Sequence, residues 1–401
     1  MIENSIVYRD FKGKYEYLPL SRAEGSLIWD KDGKRYIDFS SAWNVTNLGW
    51  NNPEVSSAII EQAKKNVQGL LWGSDPIQEE YAKALTGALP KELDACIKET
   101  SGTESVEVAI KVARVYTERK KVIGFNAHYH GQLFAALAIG YPRDSHTKLE
   151  PLVPEISPIA FPHNKISEAD WQKFLGDFEE ILSKKDVAAV VAEPGVITGW
   201  GSTLIAYPGF LAKLRELTSK YGTLLIIDEV GTGFSRTGKL FGIQHENVVP
   251  DMIALAKGMS NGASAIGAVV GKTEIFEKAF SEAILVSTLG WTPLACAASL
   301  KVLQIHLRDR IWEAAEKKGI YVKEKLRAHI GGILVDVRGM GLEIGVQFKD
   351  AETCSGIQKA CFADGLHVVV GSGNNMQIMP PLNIPQELLD EGLDILMRNL
   401  K

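Results

Sequence analysis

The feature that most constrains this chain is a series of short, continuously apolar runs separated by helical patterns. VAAVVA (187–192), LLII (224–227), MIALA (252–256) and AIGAVVG (265–271) show no alternation of apolar and polar residues. A strand without alternation is buried on both faces, so helices have to cover both sides of its sheet. Amphipathic stretches lie between these runs, among them SVEVAIKVARVYTERK (105–120) and PGFLAKLRELTSKYG (208–222), the second closed by a glycine. This alternation predicts an α/β fold with a parallel or mostly parallel central sheet.

The two ends of the chain read differently. SLIWDKDGKRYIDFSS (26–41) sets Asp-Lys-Asp-Gly between two apolar runs, a hairpin signal. Helical spacing is expected over 54–70 and 76–89, and as one long, bent helix over 293–329. DVRGMGLEIGVQF (336–348), GLHVVV (365–370) and MQIMPPLNI (376–384) then alternate with further helix. The expectation is a large α/β domain over 51–290 and a smaller α+β domain assembled from 1–50 and 291–401.

Composition excludes several classes. Of the 401 residues 45% are hydrophobic, enough to bury a large core, which removes disordered, collagen-like and disulfide-scaffold readings. Forty-four basic against 49 acidic residues, with no block of like charge, lack the footprint of a nucleic-acid or membrane-surface binder. Cys96, Cys296, Cys354 and Cys361 form no C-x-x-C pair, so free thiols and no metal site are expected. The N-terminal stretch lacks a signal-peptide core and no run of roughly eighteen apolar residues occurs. A soluble cytoplasmic protein is the expectation.

Three local signals carry chemistry. Asp228 ends the run LLIID, at the carboxyl end of a buried strand, where open α/β sheets place ligands. Lys257 follows the next apolar run and precedes a Gly-rich turn, a setting that can desolvate an amine and make it nucleophilic. A carboxylate able to protonate a pyridine nitrogen and a Schiff-base lysine are what a pyridoxal phosphate enzyme needs. The pair alone leaves an ordinary buried ion pair open. SGTESVE (101–107) opens a helix with Ser101, Gly102 and Thr103, whose backbone N–H groups could hold a phosphate; a plain N-cap explains it equally well. FNAHYHG (125–131) follows the strand KVIGF and offers Tyr129 for stacking on a flat ring. His130 in the same loop belongs to no metal-ligand spacing, and a hydrogen-bonded loop histidine is the plainer reading.

Taken together, and in this order, the segments resemble the class III aminotransferases, pyridoxal phosphate enzymes of fold type I. The resemblance spans nearly the whole chain, from EGSLIWDKDGKRYIDFSS through SGTESVEVAIKVAR, FNAHYHGQ and AEPGVITGWG to STLGWTPLACAA and MPPLNI. Its most specific stretch is LLIIDEVGTGFSRTGKLFGIQHENVVPDMIALAKGMSNG. The resemblance implies that Lys257 holds the coenzyme as a Schiff base and shuttles the proton, while Asp228 pairs with the pyridine nitrogen. Val230 and Tyr129 would lie on opposite ring faces, and Gly102 and Thr103 would bind the phosphate. Thr288 would reach the phosphate in a neighbouring subunit, which implies an isologous homodimer, with a tetramer left open. Glu193 would lie near the substrate, and Arg236 would be structural.

The departures from the family pattern bear on the substrate. Gly231 stands where glutamine or another side chain is usual. EPGVITGWG differs from E-P-V-Q-G-E-G-G. Gln377 stands where acetylornithine- and aminobutyrate-type members usually carry an arginine that grips a carboxylate, and an amide offers no bidentate, charge-assisted clamp. Trp43 matches a pocket-wall tryptophan of amine:pyruvate transaminases, and with Trp72 it suggests an apolar pocket, although core packing would also explain either indole. The leading expectation is a ping-pong transaminase that moves an amino group from a primary amine or ω-amino compound to a 2-oxo acid such as pyruvate. A racemase, epimerase or aminomutase of the same family is the alternative. A coenzyme-binding protein without turnover, or a nucleotide-binding module, is the reading from another class, and the absence of G-x-G-x-x-G and P-loop motifs disfavours the module.

Overall fold

A computed structural model describes residues 18–70, 73, 75–140, 147–199, 202–371 and 373–400. Its centre is a seven-stranded sheet in the order Ala95–Glu99, Gly267–Gly271, Met252–Leu255, Leu224–Asp228, Val187–Ala192, Lys121–Phe125, Ile156–Ile159. Gly267–Gly271 runs antiparallel to both neighbours and the other pairs are parallel. The continuous apolar runs are the middle of this sheet. Successive residues feed two separate cores: Leu225, Ile227, Ile253 and Leu255 point into one, and Leu224, Ile226, Met252 and Ala254 into the other. Each such aliphatic side chain contributes about 1.5–3 kcal/mol when fully buried, so neither face could be left to water. Helix Gly102–Thr117 covers one face with Val106, Ala109, Ile110 and Ala113, and Phe210–Tyr221 covers the other with Phe210, Leu211 and Leu214. This is the mixed α/β architecture of fold type I.

Two smaller sheets draw on the chain ends. In the first, Leu20–Glu24, Leu27–Asp30 and Arg35–Asp38 form antiparallel neighbours, and Leu366–His367 joins from the other end of the chain, parallel to Arg35–Asp38. The expected hairpin is there, turned through Gly33 at φ +81°, with Asp30 Oδ1 accepting the N–H groups of Asp32 and Lys34. The second sheet is antiparallel, in the order Leu334–Met340, Glu343–Phe348, Asn375–Ile378, Val369–Val370. GLHVVV therefore serves both sheets, divided at Val368.

Two expected helices differ. The stretch 293–329 is not one bent helix but two, Pro293–Asp309 and Ile311–Arg327, because Arg310 adopts φ +48° and ends the first. The helix expected over 54–70 stops at Ala63, where Gln62 turns inward and donates to the carbonyl and side-chain oxygens of Asn66. No described helix is long and apolar enough to cross a membrane.

Candidate active site

A cavity of about 310 Å3 opens at the carboxyl ends of the parallel strands. Five strand ends feed it. Asp228 closes Leu224–Asp228, Glu193 follows Val187–Ala192, Lys257 follows Met252–Leu255, Tyr129 and His130 follow Lys121–Phe125, and the helix beginning at Gly102 follows Ala95–Glu99. Lys257, Asp228, Gly102, Thr103, Tyr129, Val230 and Glu193, scattered over 156 positions of sequence, all line it.

Asp228 is buried, and both of its oxygens have donors. Oδ2 lies 2.7 Å from His130 Nδ1, and Oδ1 accepts the Val230 N–H at 2.8 Å. Burying a carboxylate this far from water is costly unless such bonds compensate it. His130 is thus the second partner of the carboxylate, a role that its loop position in the sequence did not suggest. Its Nε2 is buried with no partner among the described residues.

Lys257 sits at φ +47°, a left-handed conformation that a side chain with Cβ adopts at a cost of about 1–3 kcal/mol. The cost is tolerated where the surroundings dictate the turn, here between a buried strand and a short 3-10 helix, Lys257–Ser260. At the opposite end Ser101 caps helix Gly102–Thr117 by accepting the Glu104 N–H, so the N–H groups of Gly102 and Thr103 are not used by the helix. Glycine is required at 102 by close approach: a Cβ there would come within 2.7 Å of Val230 Cγ1. Gly131, at φ +128°, makes room for Thr103 in the same way.

Glu193 ties the far wall together. Its Oε1 accepts the Tyr129 N–H at 3.2 Å, and its Oε2 accepts the Thr198 N–H and hydroxyl at 2.7 and 2.8 Å. Burial and the neighbouring Asp228 charge push its carboxyl up to about 7. Thr198 also accounts for Gly231: a Cβ at 231 would fall 2.1 Å from Thr198 Oγ1. The altered E-P loop and the missing side chain at 231 are one steric change, visible only once the two segments meet.

Three sequence-derived candidates do not line the cavity. Gln377 is fully buried behind it and donates through Nε2 to Glu343 Oε1 (2.8 Å), Thr203 Oγ1 and the Thr198 carbonyl (both 3.2 Å). Trp43 is half-buried in a turn whose four residues, Ser41–Asn44, all have φ between +45° and +67°; from this segment it is Val45 that lines the cavity. Thr288 is exposed in a surface groove with Glu99, Glu104, Leu133 and Phe134. Trp72 lies outside the described residues. Arg236 is fully buried and structural in its bonding, donating to the Leu342 and Pro380 carbonyls and to Asn47 Oδ1. Sequence reasoning missed Glu343, Asn44 and Thr203, although a glutamate opening the apolar strand EIGVQF was a visible anomaly.

A lysine at a strand end, an aspartate braced by a histidine and an open helix N-terminus around one cavity define the class of a pyridoxal phosphate enzyme of fold type I. A sequence profile of class III aminotransferases matches residues 11–400, and the chain belongs to that family, whose members depend on pyridoxal phosphate. It is 36% identical to the acetylornithine aminotransferase of Methanopyrus kandleri over 371 residues, 92% of this chain and 91% of that one. An (S)-enantioselective ω-transaminase from Thermomicrobium roseum superposes with a TM-score of 0.89 at 29% identity, covering 99% of this chain and 95% of the other. An amine transaminase from an uncultivated Pseudomonas species, solved with pyridoxal phosphate bound, gives 0.89 at 26% identity, covering 98% and 97%.

Proposed function

We propose that this aminotransferase takes its amino group from a primary amine or ω-amino compound and delivers it to a 2-oxo acid such as pyruvate, in a ping-pong sequence. The observation that carries the reading is the charge of the site. No arginine lies among the described residues lining the cavity, and Gln377 spends its N–H groups on Glu343, Thr198 and Thr203. A donor with an α-carboxylate has no guanidinium to meet there, whereas an amine without one needs none.

The residues fit the coenzyme. The unused N–H groups of Gly102 and Thr103 suit its phosphate, and the glycine at 102 lets the backbone approach. Val230 and Tyr129, both on the cavity wall, suit the faces of its ring, and the braced carboxylate of Asp228 suits a protonated pyridine nitrogen. When bound, pyridoxal phosphate supplies the electron-withdrawing ring that delocalises the charge left on a substrate carbon. Asp228 would pair with the ring nitrogen, and His130 holds the Asp228 carboxylate in place. Lys257 would hold the coenzyme through its amine, and the same amine, when free, would carry the proton between donor and acceptor atoms. Glu193 fixes the Tyr129 backbone and Thr198, and so the shape of the wall.

A homodimer completes the reading. Ile284, Val286 and Leu289, exposed at 92%, 61% and 57%, flank Thr288 in one groove with the exposed Leu133 and Phe134. An apolar strip of this kind suits a second copy, with Thr288 turned to the partner's phosphate site.

The 36% identity to an acetylornithine aminotransferase favours a second reading, an ω-amino donor that also carries an α-carboxylate, the α-nitrogen of acetylornithine being acylated. One screen decides. Primary amines, ω-amino acids and acetylornithine are each offered with pyruvate, beside an assay for racemisation of α-amino acids. Amines fastest supports the proposal; acetylornithine fastest supports the second reading; racemisation faster than any transfer overturns both.

A further inference from the structure

Behind the cavity wall lies a polar cluster that the reaction as described does not use. Glu343 opens strand Glu343–Phe348 and is fully buried beside Ile344 and Val346. Its Oε2 accepts Asn44 Nδ2 at 2.7 Å, and its Oε1 accepts Gln377 Nε2 at 2.8 Å and the Thr203 hydroxyl at 3.1 Å. All three partners are neutral donors. Arg236 donates to Asn47 and two carbonyls and makes no ion pair with Glu343 among the described residues, although its charge favours the ionised carboxylate. A buried carboxylate without a contacting cation is costly, and burial pushes the Glu343 carboxyl up.

The cluster is also short of donors. Asn44 Oδ1 and Gln377 Oε1 are both buried and have no partner among the described residues. Both amide nitrogens are bonded to Glu343, so the two orphaned oxygens belong to side chains anchored on one carboxylate. The group that would satisfy this arrangement carries several donors, no acceptor and a positive charge. An ammonium is such a group.

The cluster borders the cavity at two points: Gln377 is bonded to the carbonyl of Thr198, and Asn44 precedes Val45, both of which line it. Lys257, on the same wall, is close enough that its charge favours the ionised form of Glu343.

We propose that Glu343, presented by Asn44, Thr203 and Gln377, determines donor specificity by receiving a second ammonium group at the far end of the substrate. The preferred donors are then short aliphatic diamines, above monoamines of the same length and above ω-amino carboxylates, whose far charge Glu343 repels. Pyruvate, three carbons long, ends before the second nitrogen of such a diamine. The inference rests on the amine-donor reading and narrows it.

The test compares kcat/KM of the holoenzyme, with pyruvate as acceptor, for diamines of four to six carbons. Each is set against the monoamine of equal heavy-atom length, and 5-aminopentanoate serves as the anionic control. At one chain length the diamine should exceed its monoamine by about tenfold or more, as expected for a hydrogen bond between charged partners. The aminopentanoate should fall below both. Glu343→Gln should pull that ratio towards one, and Gln377→Leu should lower it in the same direction, so the conclusion does not hang on one variant folding. A ratio near one at every length in the wild type, or one that survives Glu343→Gln, overturns the proposal and leaves the cluster as a water-filled structural feature. Monoamine turnover without diamine preference sinks this inference alone. No transfer from any amine sinks the amine-donor reading and this inference with it.

Discussion

The two ends of the cavity are built in different ways. At the coenzyme end each residue stands at or just beyond the end of a strand of the central sheet, and its immediate neighbours in sequence set its conformation: LLIID for Asp228, IALAKG for Lys257, SGTE for Gly102 and Thr103. At the proposed substrate end Asn44, the loop carrying Thr198 and Thr203, and the paired strands carrying Glu343 and Gln377 come from distant parts of the chain and are joined there by side-chain hydrogen bonds. The comparison teaches that the residues matching the family pattern lie in local motifs, while the cluster to which we assign selectivity is assembled from contacts that no single motif contains.

Changes at the coenzyme end should be severe and indifferent to substrate. The largest effect is expected from Lys257→Ala, which removes the amine that we propose holds the coenzyme and carries the proton. All amine donors should lose turnover together while the fold persists. Borohydride reduction followed by mass spectrometry checks the assignment directly: in the wild type the label should sit on Lys257, and label on any other lysine refutes it.

Asp228→Asn comes next. An amide cannot keep the pyridine nitrogen protonated, and it also loses the charge that His130 braces. A fall in kcat of about 10²-fold or more is expected, the scale of losing a major electrostatic contact. Activity within a few-fold of wild type would make this carboxylate structural.

Thr288→Ala is expected to act between subunits. It should weaken coenzyme retention by roughly tenfold, measured by spectral titration, while sedimentation still reports a dimer. Unchanged affinity removes support for a shared phosphate site.

The smallest effect should come from Gln377→Arg alone, and this is where the two ends part. A guanidinium at 377 would meet Glu343 and pair with it rather than stay available for a substrate carboxylate. Donor preference should therefore move only a few-fold. Adding Glu343→Gln frees the guanidinium and should shift preference towards α- and ω-carboxylates much further. If the single variant alone produced the full shift, Glu343 would not govern this end of the site.

Much of the architecture could be read from the residues because unalternating apolar strands admit few arrangements. VAAVVA, LLII and MIALA had to lie inside a sheet covered on both faces, and the polar residues just after them had to emerge at its carboxyl edge. The break at Arg310 was hidden because helical spacing continues unbroken on both sides of it; one residue at φ +48° ends a helix without changing the pattern. Gly231 looked like a missing contact. In the structure its space is filled by Thr198.

By itself, then, the sequence determined the sheet, the strand-end placement of Asp228 and Lys257 and the helix start at Gly102, because apolar periodicity and local backbone geometry act over a few residues. Only the tertiary structure decided that His130 braces Asp228, that Glu193 holds Tyr129 and Thr198, and that Gln377 is occupied by Glu343. The bonds of His130 to Asp228, Tyr129 to Glu193 and Gln377 to Glu343 join groups 98, 64 and 34 positions apart, formed where burial removes water as the competing partner.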